Sequence, residues 1–427
     1  MKGNGDPQLE IVAQHWPNVE AYEAQALLRL SDPSIIVHSV ASYSGRPTAA
    51  ASLVHTSIGL IFIKRYARCV RDASTIEPYH RYAAYLADHG IATPSFLRFH
   101  EDEESVLEVP GGTSSVALTA GCAYEAYLAA DGSDRYGKAL TWDPPRALDE
   151  ARQLGRFLAA IDVASAGFEQ PALEPNGMSN AFGLLAFGSA GLSDSADRFS
   201  SAHALKQAVT PWLEQRPGVR RYLELTQRDI FSDMQIALPY GEAIAKPYAT
   251  LHPQWTHGDP HISNFLWQGD RPCAVIDFGL ADCNTAVFDL AMLLERHAIQ
   301  WVDVMNGKDD ACRPDVMLAL LEGYCAVRPL SDAEKAVLPG LLPICQVEAG
   351  LNWIQYYMNA AAALGGACSE DGEGLAGAAP ESVAAERMSH ALSDADWCYD
   401  ACFLAHTCWF GSGAGRRLLD TLRSALA

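Results

Sequence analysis

Apolar residues along this chain change period part-way, and the change predicts two differently built parts. Early on they fall in short runs rich in β-branched and aromatic residues: Ile35 to Val40, Ala49 to His55, and Gly59-Leu-Ile-Phe-Ile-Lys-Arg-Tyr66. Runs of that length and content predict strands. Ser42-Tyr-Ser-Gly-Arg-Pro47, between the first two, reads as a small-residue turn. Asp72-Ala-Ser-Thr-Ile-Glu77 opens a helix, since Asp and Ser cap well and apolar positions recur at Tyr82, Tyr85 and Leu86; Gly90 ends it. Ser105 to Val109 and Cys122 to Leu128 read as two more strands. A largely helical stretch over about 8–30, interrupted near Pro17, precedes them all.

From Pro144 onward the period is that of a helix. Leu148, Ala151, Leu154, Phe157, Leu158 and Ile161 share one face. Further helices are expected over roughly 204–237, 285–300, 314–328, 332–361, 381–406 and 414–426. The Gly/Ser/Ala-rich span 177–201 is expected to be a loop, and 364–382, rich in Gly, Ala and acids, to be poorly ordered. A β-rich part before a larger helical one predicts an α+β, two-lobe layout. Its N-terminal lobe would span 1–122 and its C-terminal lobe 123–427, with a hinge at about 122–130.

Composition supports two globular cores. The chain has 427 residues, enough for two domains, and its 49% apolar content exceeds what disordered chains carry. No run approaches the roughly 18 apolar residues that span a bilayer, and no apolar stretch follows Lys2 as a secretory leader would require. A cytoplasmic protein is expected, with no membrane partner. A net charge of −21 repels phosphate backbones, so nucleic acid is not an expected partner. That charge leaves open whether cationic small molecules are attracted or the protein is merely soluble. Eleven cysteines without a C-x-x-C predict reduced thiols rather than a zinc site.

Candidate chemistry concentrates in His257-Gly-Asp-Pro-His-Ile-Ser-Asn264, followed by Val275-Ile-Asp-Phe-Gly279. Asp259 precedes Asn264 by the spacing of the protein kinase loop H-R-D-x-x-x-x-N, and Asp277 opens an Asp-Phe-Gly. Phosphoryl transfer needs oxygen ligands on Mg²⁺ and one carboxylate beside the attacking hydroxyl. Asp277 would be the charged ligand and Asn264 the neutral one. Asp259 is left to face the acceptor, as base or as orienter. Each alone is an ordinary turn residue; in this order and spacing they point to chemistry. His257 reads as a buried brace and His261 as a brace of the loop, with contact to substrate as its second reading. H-x-D-x-H at 257–261 also fits a metallohydrolase, but the other histidines supply no close-spaced pair to complete such a site.

With Phe288-Asp-Leu-Ala291 added, the set resembles the aminoglycoside phosphotransferase and choline kinase-like family. The resemblance implies a protein-kinase-like fold, ATP and Mg²⁺ as cofactors, and phosphorylation of a small-molecule hydroxyl. It also implies that Asp289 braces the catalytic loop. The motif core covers residues 255–291.

On the nucleotide side, Lys64 is the expected phosphate cation, held by Glu77 on the following helix. Strand alternation puts its rival Arg65 on the opposite face. Ser44, Gly45 and Thr48 occupy the place of a phosphate-covering loop, although a single glycine departs from G-x-G-x-x-G and a plain hairpin turn stays open. Adenine would rest on Tyr124-Glu-Ala-Tyr127, through the backbone of Tyr124 and Ala126. Acceptor candidates lie on one helix, as Glu348, Asn352, Trp353, Tyr356 and Tyr357, with Glu295, His297, Asp394 and Asp396 as possible polar additions. The alternative makes the aromatics core and the acids a solvated face. An aminoglycoside-like acceptor is the first expectation. A metabolic kinase for an amino alcohol, homoserine or a sugar is the second, and a nucleotide-binding pseudoenzyme the third.

Overall fold

In the computed structural model, which describes residues 17–46, 49–68, 70–173, 201–308, 310–364 and 381–427, strand alternation builds an antiparallel meander. Helix α1 (Ala21–Arg29) leads into β1 (Val37–Arg46), β2 (Ala49–Thr56) and β3 (Gly59–Ala67). The expectations for 8–16, 177–200, 365–380 and Thr48 lie outside the described residues. With β4 (Ser95–Phe96), β5 (Ala117–Leu118) and β6 (Cys122–Leu128), the sheet runs in the order β1-β2-β3-β6-β4, and β5 also pairs with β6. Strand β6, inside the expected hinge, is thus a central strand of the N-terminal sheet.

The two faces of this sheet do different work. Ile61, Ile63, Cys122, Tyr124 and Ala126 form one core with Leu27 and Leu28 of α1. The opposite face carries Lys64 and Tyr66, and helix α2 (Ala73–Asp88) packs beside it through Ile76, Tyr79 and Tyr82. Asp72 caps α2 by accepting the Ser74 N–H, and Thr75 completes a capping box.

Three local expectations need correction. Ser42 to Arg46 do not turn: they pair one for one with Leu53 to Ala49 and extend the hairpin of β1 and β2, after a register shift between Val40 and Ser42. Ser105 to Val109 is no strand and makes a single bridge, Glu108 to Leu118. Val106 there stands exposed with nothing to bury it, and Gly111 and Gly112 at positive φ turn the chain away. The helix expected over 204–237 is broken. Helix α4 (Ala202–Glu214) ends before Pro217, which starts α5 (Pro217–Thr226) at its first position, and the pre-proline Arg216 is non-helical.

The helical part continues with α6 (Leu238–Tyr248), which the sequence reading missed because it carries prolines in its first and last turns, Pro239 and Pro247. Two small β pairs follow. Strand β7 (Gln254–Thr256) pairs with β10 (Asp282–Asn284), and β8 (Phe265–Gln268) forms a hairpin with β9 (Arg271–Val275). Around them stand α3 (Leu148–Ser165), α7 (Ala286–Ala298), α8 (Pro314–Cys325), α9 (Asp332–Leu364), α10 (Glu381–Trp397) and α11 (Gly413–Leu426). Nearly every side chain of α7 is buried, and Leu341, Leu342, Val347 and Leu351 of α9 are fully so. Among the described residues no helix is long and apolar enough to cross a membrane.

Candidate active site

The catalytic-loop segment leaves β7 at Thr256 and must turn at once. Gly258 has φ +78°, and a Cβ there would collide with the Leu280 carbonyl, so only glycine fits. Asp289, in the first turn of α7, accepts the backbone N–H groups of His257 (2.9 Å) and Gly258 (3.1 Å). Burial pushes its carboxyl up to about 7, although those N–H groups favour the charged form. His257 donates from Nε2 to the Ile276 carbonyl (2.9 Å), while its Nδ1 accepts the Asp259 N–H (3.3 Å). Its ring therefore ties the loop of Asp259 to the segment entering Asp277. Phe278 packs edge-on to both His257 (5.2 Å) and Tyr82 of α2 (5.9 Å), which connects this junction to the N-terminal part.

Asp259 sits among donors. Asn264 Nδ2 donates to its carbonyl (2.9 Å) and to its Oδ2 (3.3 Å). His261 Nε2 lies 3.4 Å from Oδ2, and Arg296 Nη2 lies 3.4 Å from Oδ1. Burial opposes ionisation, but His261 and Arg296 outweigh it and hold this carboxyl well below the usual range. Such a group is a weak base and a good orienter. Arg296 also donates to Thr141 Oγ1 (2.5 Å) and approaches Glu295 (3.4 Å). Sequence reasoning missed Arg296 and Thr141. The one available signal was spacing: Arg296 lies seven residues after Asp289, two turns along α7.

Asp277 occupies the left-handed region (φ +62°, ψ +65°), an uncommon state for a non-glycine residue. Lys64 Nζ reaches its Oδ1 at 2.9 Å. That ammonium holds the Asp277 carboxyl down to about 2, and Asp277 in turn raises the Lys64 pKa despite the burial of its stem. The expected Lys64–Glu77 pair does not form. Glu77 accepts from Ser114 Oγ (2.5 Å) and lies 3.8 Å from Arg81, because its place on α2 faces residues 114–115 rather than β3. Arg65 is on the opposite face, bonded to Glu23 (2.6 Å).

Asp277 and Asn264 fit a hard cation. The Asn264 amide nitrogen is spent on Asp259, leaving Oδ1 as a neutral oxygen donor, and the Asp277 carboxylate is half-exposed. His257 and His261 are engaged with Ile276 and with Asp259 and Ser263, which removes the chelate that an H-x-D-x-H site would need.

The other nucleotide candidates are placed less directly. Ser44 and Gly45 pair with Ala51 and Ala50 along β1 and β2. The Tyr124 hydroxyl donates to Glu23 (2.9 Å), on the face away from Lys64. The Ala126 carbonyl accepts the Leu97 N–H (2.8 Å), so it is committed inside the sheet.

A profile of the phosphotransferase enzyme family (APH) matches residues 52–330. The chain belongs to that family. The matched span holds Lys64, Asp259, Asn264, Asp277, Asp289 and Arg296. Among curated relatives, a homoserine kinase of Gluconobacter oxydans is 28% identical over 189 residues, 44% of this chain and 48% of that protein. A homoserine kinase of Mesorhizobium japonicum is 25% identical over 289 residues, 68% of this chain and 72% of its own. The match to the first spans about half of that relative's length. Among solved structures, a microcompartment-associated aminopropanol kinase is similar at 14% identity with a TM-score of 0.47, over 93% of this chain and all of that one.

The acceptor candidates on α9 lie outside the span matched by the phosphotransferase profile, and their contacts point elsewhere. Tyr356 and Tyr357 are buried, and Trp353, partly exposed, packs on both at 5.5 and 6.0 Å. Glu348 is buried near the Arg216 guanidinium. Asp396 accepts from the Tyr222 hydroxyl (2.7 Å) and from Arg228 (3.3 Å). Asp259 is contacted by His261, Asn264 and Arg296 instead.

His297 has a structural task in this fold. Its Nε2 accepts the Ile262 N–H (3.1 Å) and its Nδ1 donates to the Asp143 carbonyl (2.9 Å), so the ring must be neutral. Burial pushes its pKa down to about 3. A folded pKa below the unfolded value of about 6.5 contributes stability fully present above pH 6.5 and lost as pH falls toward 3. Between pH 6.5 and 5 the loss from this group is about 2 kcal/mol, at roughly 1.4 kcal/mol per unit. His406, likewise buried and pushed down to about 3, adds the same sign. His297→Gln should therefore flatten the acid slope of urea-unfolding stability without abolishing it; an unchanged slope would show that His297 is not buried neutral.

Proposed function

We propose that this chain transfers the γ-phosphoryl group of ATP, with Mg²⁺, to a hydroxyl of a small molecule. The Lys64–Asp277 contact carries this reading. It joins residues 213 apart in sequence, from the sheet and from the helical part, at the edge of the loop holding Asp259 and Asn264. Lys64 would lie along the nucleotide phosphates, and Asp277 and Asn264 would hold the metal. Bound Mg²⁺ would neutralise charge on the phosphate oxygens. Asp259, kept anionic by Arg296 and His261, would accept a hydrogen bond from the acceptor hydroxyl and turn its oxygen toward phosphorus. The new oxygen–phosphorus bond forms as the bond to ADP breaks, and the hydroxyl proton passes late to the Asp259 carboxylate and from there to solvent, which suits a weak base.

The hinge in this reading is the chain just after Leu128, where β6 leaves the sheet. Use of ATP fits the cytoplasmic location expected from the sequence. Among acceptors, the homoserine kinases among the relatives support a small amino alcohol over an aminoglycoside. An ADP-release screen over homoserine, amino alcohols, aminoglycosides and sugars should show turnover with homoserine or an amino alcohol and none without Mg²⁺. Tight nucleotide binding with no turnover on any acceptor would instead favour a nucleotide-binding pseudoenzyme.

A further inference from the structure

The carboxylate beside Lys64 comes from a strand. Lys64 on β3 and Glu125 on β6 are direct register partners on one face of the antiparallel sheet. Side chains so placed start about 5 Å apart at Cβ. Glu125 is 1% exposed, and three groups grip it: the Tyr66 hydroxyl (3.0 Å), the Tyr79 hydroxyl (2.6 Å) and His80 Nε2 (2.6 Å). His80 is fixed in turn by Ser115 at its Nδ1 (2.7 Å) and by stacking on Phe96 (3.6 Å). Helix α2 thus supplies hydrogen-bond donors here, where the expected arrangement had it supply an acid.

A buried carboxylate is costly unless hydrogen-bonded and paired with charge. The tyrosines supply neutral hydrogen bonds. Burial raises the Glu125 pKa, but His80 and Lys64 more than offset this and keep it charged. Arg71, the other nearby cation, is spent on the Gly279 carbonyl and lies over the Tyr66 and Tyr79 rings. Lys64 is the cation set opposite Glu125. Its ammonium meets the half-exposed carboxylate of Asp277, while its register partner on the neighbouring strand is a carboxylate fixed in place by Tyr66, Tyr79 and His80.

We infer that Glu125, held by Tyr66, Tyr79 and His80, is the positioning residue that aims Lys64 at the nucleotide phosphates, the part expected of Glu77. The inference rests on the nucleotide reading given above. Glu125→Gln keeps the shape and removes the charge. It should weaken ADP binding by calorimetry roughly tenfold, within the range of contacting pairs, and leave adenosine binding unchanged. KM for ATP should rise more than kcat falls.

The deciding measurement is a double-mutant cycle with Lys64→Ala. If Glu125 acts through Lys64, Glu125→Gln has no further effect on ADP affinity once Lys64 is gone. Losses that multiply in the double variant, or an equal loss of adenosine affinity, would make Glu125 merely structural and overturn the inference. Should Glu125→Gln fail to fold, Tyr66→Phe loosens the same carboxylate, and the cycle with Lys64→Ala is read in the same way. If Lys64→Ala alone leaves ADP affinity and turnover intact, the nucleotide reading fails instead.

Discussion

Asp259→Ala is expected to lower kcat by a factor of about 10² to 10⁴, the range for a positioned proton-handling group, while ADP affinity changes little. Asp259 forms no ion pair with Lys64, and its neighbours Arg296 and His261 hold it in the place that the proposed function gives to the acceptor hydroxyl. Losing it leaves the acceptor hydroxyl without its orienting oxygen, and it leaves Arg296 free to turn toward Glu295. Because the Asp259 carboxyl is held well below the usual carboxylate range, it stays charged throughout the neutral and mildly acidic range. The kcat profile between pH 5 and 8 should then show no ionisation that vanishes in Asp259→Asn. Wild-type turnover in the alanine variant would sink the assignment, and an acid limb near pH 6 that Asp259→Asn removes would make Asp259 a true base.

Asp277→Ala should abolish the Mg²⁺-dependent part of nucleotide binding. Asp277 is the one charged oxygen donor of the proposed metal pair, and Asn264 alone provides a single neutral oxygen. The sign for metal-free nucleotide is opposite. Removing Asp277 releases the Lys64 ammonium that it holds at 2.9 Å, so ADP without metal should bind as well as before or a few-fold better. Calorimetry with and without Mg²⁺ separates the two effects. Equal Mg²⁺-ADP affinity in variant and wild type would show a structural aspartate, kept in its left-handed conformation for the sake of the turn alone.

Much of the geometry of the candidate site was legible because its signals are local. Asp259, Asn264 and Asp277 are brought close by a short hairpin, β8 to β9, so their separation along the chain nearly sets their separation in space. The Lys64–Arg65 choice was legible for the same reason, since adjacent strand residues must face opposite ways. Glu77 misled because its spacing from Lys64 suits a helix glutamate. Which way a residue on α2 faces depends on how the helix lies against the sheet, and there Tyr79 and His80 face Glu125 while Glu77 faces Ser114. The break at Pro217 needed only attention to the residue before proline. The exposure of Val106 needed knowledge of what stood opposite it.

By itself, the sequence determined the two-part α+β layout and pointed to the class of chemistry proposed above, since hairpin spacing and hydrophobic period act over a few residues. Tertiary structure alone decided which charges meet: Lys64 with Asp277, Arg296 with Asp259, and Glu125 in register with Lys64. Those pairings join segments from tens to some two hundred residues apart. Their geometry follows from how the sheet, α2 and α7 pack, which no local pattern encodes.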